Sequence, residues 1–337
     1  MKYPKFIQKG NCIGVPTPSA SGGEKLSNQR LLQAEKYFLS QGFELVLSKN
    51  LFSCQMGRSA SAQDRAKEIN DMFSSDDVDC ILCCDGGDFL VEILPFVDFS
   101  LLVSHSKFVA GFSDPTGLLY PITTKYDIAT IYGHNFSNFG ALELHQSELT
   151  FLEFLTGNLI LQESYDMYQN EFVPRVTGLE GYQLDQKVYW NTLDEKPVHL
   201  HGRIIGGCFD IIAELAGTKY DGFQEFHRRY SKNGIIWYFD NCELTMEETI
   251  RVLWKFQELG YFEDCIGVIF GRFGKMESYY GYDTKKCLLD SVLGHLSIPV
   301  IYDADISHKG PCFTIINGSI ATIDVENGVG KMSFELK

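Results

Sequence analysis

The chain has 337 residues, of which 45% are hydrophobic and 22% charged, the balance of an ordinary globular protein rather than a disordered or fibrous one. That length is more than one core usually holds, so two domains of roughly 150 residues each are expected. With 29 basic against 44 acidic residues the formal net charge is -15, which argues against a nucleic-acid or anionic-membrane surface, since both reward clustered Lys and Arg.

The amino terminus, MKYPKFIQKGNCIGV, is basic and lacks the long apolar run of a signal peptide, and no 18-residue apolar stretch follows. A cytoplasmic protein is the expectation. NCIGVPTP reads as a strand, residues 24–40 as an amphipathic helix through Leu26, Leu31, Ala34, Tyr37 and Phe38, and FELVLS as a second strand. A helix over 62–73 is opened by Ser61 with Asp64 three positions on. VDCILCC is a short, wholly apolar run of the kind that forms a buried parallel strand. FLVEILPF, KFVAGF and LLYPITTKYD continue the alternation. Repeated strand–helix units predict a parallel α/β sheet whose ligands bind beyond the carboxyl ends of its strands.

From about residue 150 the rhythm changes. Residues 160–205 are rich in aromatics and short alternations without a helix period. The later half mixes strands (GIIWYF, CIGVIFG, IPVIYDAD) with helices, the clearest over 246–259, with Thr245 and Glu248 as a capping box and Gly260 as the stop. A boundary between 150 and 185 separates an α/β domain over 1–160, carrying the candidate nucleophile, from a β-rich mixed domain over 180–337. Ten cysteines are scattered without a CxxC pair, so buried free thiols are expected rather than a zinc site or a disulfide framework.

Four segments carry candidate chemistry. In KFVAGFSDPTG an apolar strand ends at Gly111-Phe112, and Ser113 sits on the turn before a helix whose first turn suits Pro115. A serine there projects its hydroxyl beyond the sheet while neighbouring N–H groups face an incoming oxyanion; the plain alternative is a helix cap. In VDCILCCDGGDF the strand runs into Gly86-Gly87, where a backbone without side chains approaches a ligand closely or simply turns. A phosphate loop of nucleotide-kinase type would continue with Gly-Thr, whereas Phe89-Leu90 follow here. In PVIYDADISHKG, His308 follows a strand in a loop. In GIIWYFDNCELT, Asp240 closes an apolar strand, where a carboxylate is out of place unless paired, and Glu243 lies three residues on. His199 and His201 share one face of a strand without an evident third ligand, so no metal site is expected. Nucleophile, acid and histidine follow in the chain order of the α/β hydrolases.

The sequence resembles the LD-carboxypeptidase family of serine peptidases, which also contains the microcin C immunity proteins. GNCIGVPTPSAS is similar to the family's first strand and Pro-Ser turn, and RSASAQDRAKEINDMFSSDDVDCILCCDGGDF to its helix, strand and double-glycine loop. KFVAGFSDPTGLL resembles its nucleophile turn, and GRIIGGCFDIIAELAGTKYDG its Gly-Gly segment. The resemblance implies Ser113 as nucleophile, His308 as base, and an oxyanion hole from the main-chain N–H groups of Gly87 and Asp114. The family's acid is a glutamate where this chain has Asp240, shorter by about 1.5 Å, which leaves Glu243 as an alternative. Cys208 stands where an asparagine follows the Gly-Gly pair, and Asp85 where an arginine precedes the double glycine, so Gly86 and Cys208 are expected near the substrate. A flavodoxin-like first domain, a β-rich second domain, a cleft between them, a homodimer and no metal or organic cofactor are implied. Two substrate classes are known for the family: a murein tetrapeptide cut before its terminal D-alanine, and an aminoacyl-nucleotide such as processed microcin C. For the second, Trp190 is a candidate to stack on the adenine, as a tryptophan does in the immunity branch; the plain alternative is a packing residue. The rival expectation is a binding protein on the same scaffold that has lost catalysis.

Overall fold

The computed structural model describes residues 1–337, which divide into two compact units. One comprises Met1–Ile160, Val173–Gly181 and Thr314–Asn317; the other comprises Leu161–Phe172, Tyr182–Phe313 and Gly318–Lys337.

The first unit is built on parallel strands β1 (Cys12–Val15), β2 (Glu44–Leu47), β3 (Cys80–Leu82), β4 (Phe108–Gly111) and β5 (Thr130–Tyr132). Their spatial order, 2-1-3-4-5, is that of flavodoxin-like doubly wound sheets. An antiparallel strand, Ile315–Asn317, returns to the free edge of β5. Every residue of β1, β3 and β4 is buried, which is why these strands are wholly apolar and do not alternate; edge strand β2 alternates exposed and half-buried. The helix Lys25–Ser40 buries Leu31, Ala34 and Phe38. The helix Ala62–Ser74 starts where Ser61 accepts from the Asp64 amide, and its buried Arg65 reaches Glu92 at 2.7 Å. FLVEILPF, which follows β3 in the alternation, forms a 3-10 helix, Leu90–Phe96, with Pro95 inside it.

The second unit holds an eight-stranded mixed sheet. Val198–Cys208, Ile235–Asp240, Cys265–Gly271 and Val300–Ala304 run parallel at its centre, while Ile320–Glu326, Val329–Glu335 and the two-residue strands Gln162–Glu163 and Asn191–Thr192 add antiparallel edges. Its core is aromatic: Trp237 stacks on Tyr261 with centroids 5.0 Å apart, and Phe209, Phe223, Phe239, Phe256 and Phe270 pack around them. The helix Met246–Glu258 opens with a reciprocal Thr245/Glu248 capping box and stops before Gly260 at φ +78°. No helix of the chain is long and apolar enough to cross a membrane.

Candidate active site

Each unit places part of the candidate constellation at the carboxyl end of a parallel strand. In the first unit β4 ends at Gly111 and the helix Thr116–Tyr126 begins five residues on. The turn between them forces Ser113 to φ +69°, a left-handed conformation that costs a non-glycine residue about 1–2 kcal/mol. The neighbours over-determine it. Asn135 brackets the preceding residue, accepting from Phe112 N at 2.9 Å and donating to Phe112 O at 3.1 Å. The Ser113 amide donates to the Tyr132 hydroxyl at 3.4 Å, and Ser113 O accepts from Thr116 N at 2.9 Å. Asp114, fully buried, accepts from the Ser19 hydroxyl and from Leu90 N at 2.9 Å, which ties the turn to two loops of the same unit. Strain so firmly held is characteristic of sites where a side chain must be aimed.

The double glycine lies against this turn. A Cβ on Gly86 would come within 3.4 Å of Ser113 Oγ, and Gly87, at φ +143°, would drive one into the Ser19 hydroxyl. The Asp85 carboxylate accepts from Gly86 N at 3.0 Å. Burial raises its pKa, against the opposing pull of Gly86 N–H, Ser137, Arg175 and Arg30.

In the second unit Asp240 closes the strand Ile235–Asp240 and is fully buried. Its Oδ1 accepts from His308 Nδ1 at 2.9 Å and from the His308 backbone amide at 3.1 Å. Burial works against charging His308, but the Asp240 carboxylate hydrogen-bonded to it, with a smaller contribution from Cys242, raises its pKa well above 6.5. Glu243 does not make this contact. It is exposed, and its amide, with those of Cys242 and Leu244, donates to Asp210 at 2.8–3.1 Å. The shorter aspartate therefore reaches the imidazole without help from Glu243.

The loop carrying His308 is held from beneath. Arg272, one residue past the strand Cys265–Gly271, pairs with Asp305 at 2.6 Å and donates to Lys309 O and Pro311 O at 2.8 and 3.0 Å. Asp305 also accepts from Trp190 Nε1 at 2.9 Å, and Ser307 Oγ donates to Arg272 O at 2.5 Å. His308 opens onto a cavity of about 1350 Å³ lined also by Cys242, Glu171, Glu214, Glu243, Glu277, Lys275 and Lys309.

Two expected ligand contacts are corrected. Trp190 is 1% exposed, packed against Phe313 and Gly330 with its N–H committed to Asp305, so no ring face is open for an adenine. Cys208 is 2% exposed and its thiol donates to Asp210 Oδ2 at 3.6 Å, so it reaches no ligand surface. His199 and His201 pair across the sheet with Asp324 and Thr322. Sequence reasoning missed Asn135, Asp210, Arg272 and Asp305. Of these only Arg272 had a local signal, a charge directly after the buried run CIGVIFG.

Comparison with known proteins bears on these geometries. The family model for the LD-carboxypeptidase N-terminal domain matches residues 13–133, and that for the LD-carboxypeptidase C-terminal domain matches residues 201–323. A Vibrio cholerae protein that carries a carboxypeptidase name is 28% identical over 98% of both chains. The microcin C7 self-immunity protein of Escherichia coli is 26% identical over 94% of this chain and 92% of its own. A solved structure of microcin C7 self-immunity protein in complex with aspartyl sulfamoyl adenosine shares the fold, with a TM-score of 0.83 at 22% identity and 99% of each chain covered.

Proposed function

The chain belongs to the LD-carboxypeptidase family, and on that footing we propose that it is a serine hydrolase cleaving an amide bond, with Ser113 as nucleophile, His308 as base and Asp240 as the acid. Ser113 Oγ attacks the carbonyl carbon while His308 takes the hydroxyl proton at Nε2. Asp240, holding Nδ1–H, fixes the tautomer and stabilises the imidazolium. The N–H groups of Gly87 and Asp114 receive the developing oxyanion, and Gly86 leaves room for the substrate beside the nucleophile. His308 then protonates the leaving amine, and a water activated by the same imidazole releases the acyl group. The supporting observation is the serine held at φ +69° on the turn between a buried strand and a helix, a strained backbone of the kind that clusters at active sites.

The two candidate substrates are a murein-type peptide with an L–D amide and an aminoacyl-nucleotide. The cavity beside His308 presents Glu171, Glu214, Glu243 and Glu277 against Lys275 and Lys309, an acidic balance that disfavours a phosphate or a free carboxylate there. The test is parallel hydrolysis of a murein tetrapeptide and an aspartyl-sulfamoyl-adenosine, with Ser113→Ala as control. Turnover of either one, lost in the variant, supports the reading. A Ser113→Ala protein that works at the unmodified rate ends it. A homodimer belongs to the same proposal, and sedimentation of the full chain measures it.

A further inference from the structure

A second nucleophile lies beside the histidine. Cys242 follows Asp240 by two residues and lines the same cavity as His308, whose Nδ1 is bound to Asp240 at 2.9 Å. Thiol, imidazole and carboxylate thus cluster within a single unit, with the thiol and the imidazole facing one cavity. The cysteine is fixed in place by its own amide, which donates to Asp210 Oδ2 at 2.9 Å. Of the ten cysteines eight are buried; only Cys54, which is exposed, and Cys242, which is partly exposed, are reachable from solvent.

We propose that Cys242 is a covalent modification site for disulfides and soft electrophiles, and that its adduct blocks His308. The first half stands on the geometry alone; the second rests on the reading of His308 as the base. The thiol transfers its proton to His308 as sulfur attacks one sulfur of a disulfide R–S–S–R. The Cys242–S–S–R bond forms, the S–S bond of the attacked disulfide breaks, and the leaving thiolate R–S⁻ takes the proton from His308 to depart as R–SH. With iodoacetamide an S–C bond forms, iodide leaves, and His308 passes the proton to water. Burial raises the pKa of the Cys242 thiol, so the reaction depends on the neighbouring base rather than on a standing thiolate. An amidase role for this thiol lacks support from its own loop, because the amides of Cys242, Glu243 and Leu244 are all committed to Asp210. The adduct places bulk in the cavity that Cys242 and His308 share, against the ring.

The experiment uses the full chain with Cys54→Ser, treated with glutathione disulfide or iodoacetamide and mapped by peptide mass. An adduct at Cys242, forming at least tenfold more slowly in the added His308→Gln or Asp240→Asn variant, is expected. Amide hydrolysis should fall in step with occupancy and return when dithiothreitol removes the mixed disulfide. No adduct at Cys242 under conditions that label Cys54 in the unsubstituted protein overturns the proposal, as does equal labelling without His308. Labelling that leaves hydrolysis intact overturns the blocking step. Because the adduct is read by mass, it forms even where Ser113 proves inert, so the two failures are distinguishable.

Discussion

Replacing Asp240 by asparagine keeps the side-chain volume and removes the charge. Asp240 is fully buried, and its Oδ1 serves both the ring and the backbone of His308, at 2.9 and 3.1 Å. An asparagine has one acceptor for those two donors. If its oxygen stays on the backbone amide, its NH₂ faces Nδ1 and forces the proton onto Nε2, the nitrogen that must accept from the serine. The imidazolium that forms during attack also loses its counter-charge, ~4 kcal/mol for a pair about 4 Å apart at an effective dielectric near 20. That is about 10³ in rate, and the wrong tautomer brings the total to roughly 10⁴ in kcat. The pH dependence moves too. His308 works as a base only when neutral, so a raised pKa sets the acid limb of kcat/KM above 6.5 in the parent protein. Without Asp240 burial is less strongly opposed, and the limb shifts to lower pH. The assay is kcat/KM across the neutral range for both proteins, with thermal unfolding as the fold control. A variant that keeps more than a tenth of the rate, or whose acid limb stays in place, refutes the assignment of Asp240.

Gly87→Ala puts a Cβ on the Ser19 hydroxyl at a backbone angle only glycine adopts easily; kcat should fall by about 10²–10³, the usual effect of disturbing an oxyanion donor, with the near-ultraviolet spectrum unchanged. Arg272→Met leaves Asp305 buried without its ion pair beneath the His308 loop, so unfolding free energy should drop by about 3–5 kcal/mol, measured by urea titration. Asn135→Ala removes both bonds that bracket Phe112. It should lose about 1–3 kcal/mol and also lower kcat, because the strained serine relaxes.

Much of the fold is written locally in the chain. CILCC and FVAG are apolar without alternation because they are buried on both faces, and Ser61–Asp64 and Thr245–Glu248 mark helix starts because their side chains satisfy amides there. The return of Ile315–Asn317 to β5 was not legible: three residues carry no period, and their partners lie about 185 positions away. The same holds in the site. Ser113 and Asp240 stand out because each interrupts or closes an apolar strand, whereas Arg272, Asp305 and Asp210 are ordinary charges until the fold turns them inward. Trp190 shows the converse: an aromatic in a polar-looking stretch reads the same whether it faces a ligand or, as here, Phe313.

The most direct test of the account is covalent trapping with a fluorophosphonate, followed by peptide mass mapping. The account expects phosphonylation at Ser113 alone, lost in Ser113→Ala and slowed in His308→Ala, in step with amide hydrolysis. Hydrolysis by a protein that never carries the adduct at Ser113, or an adduct rate indifferent to His308, contradicts it.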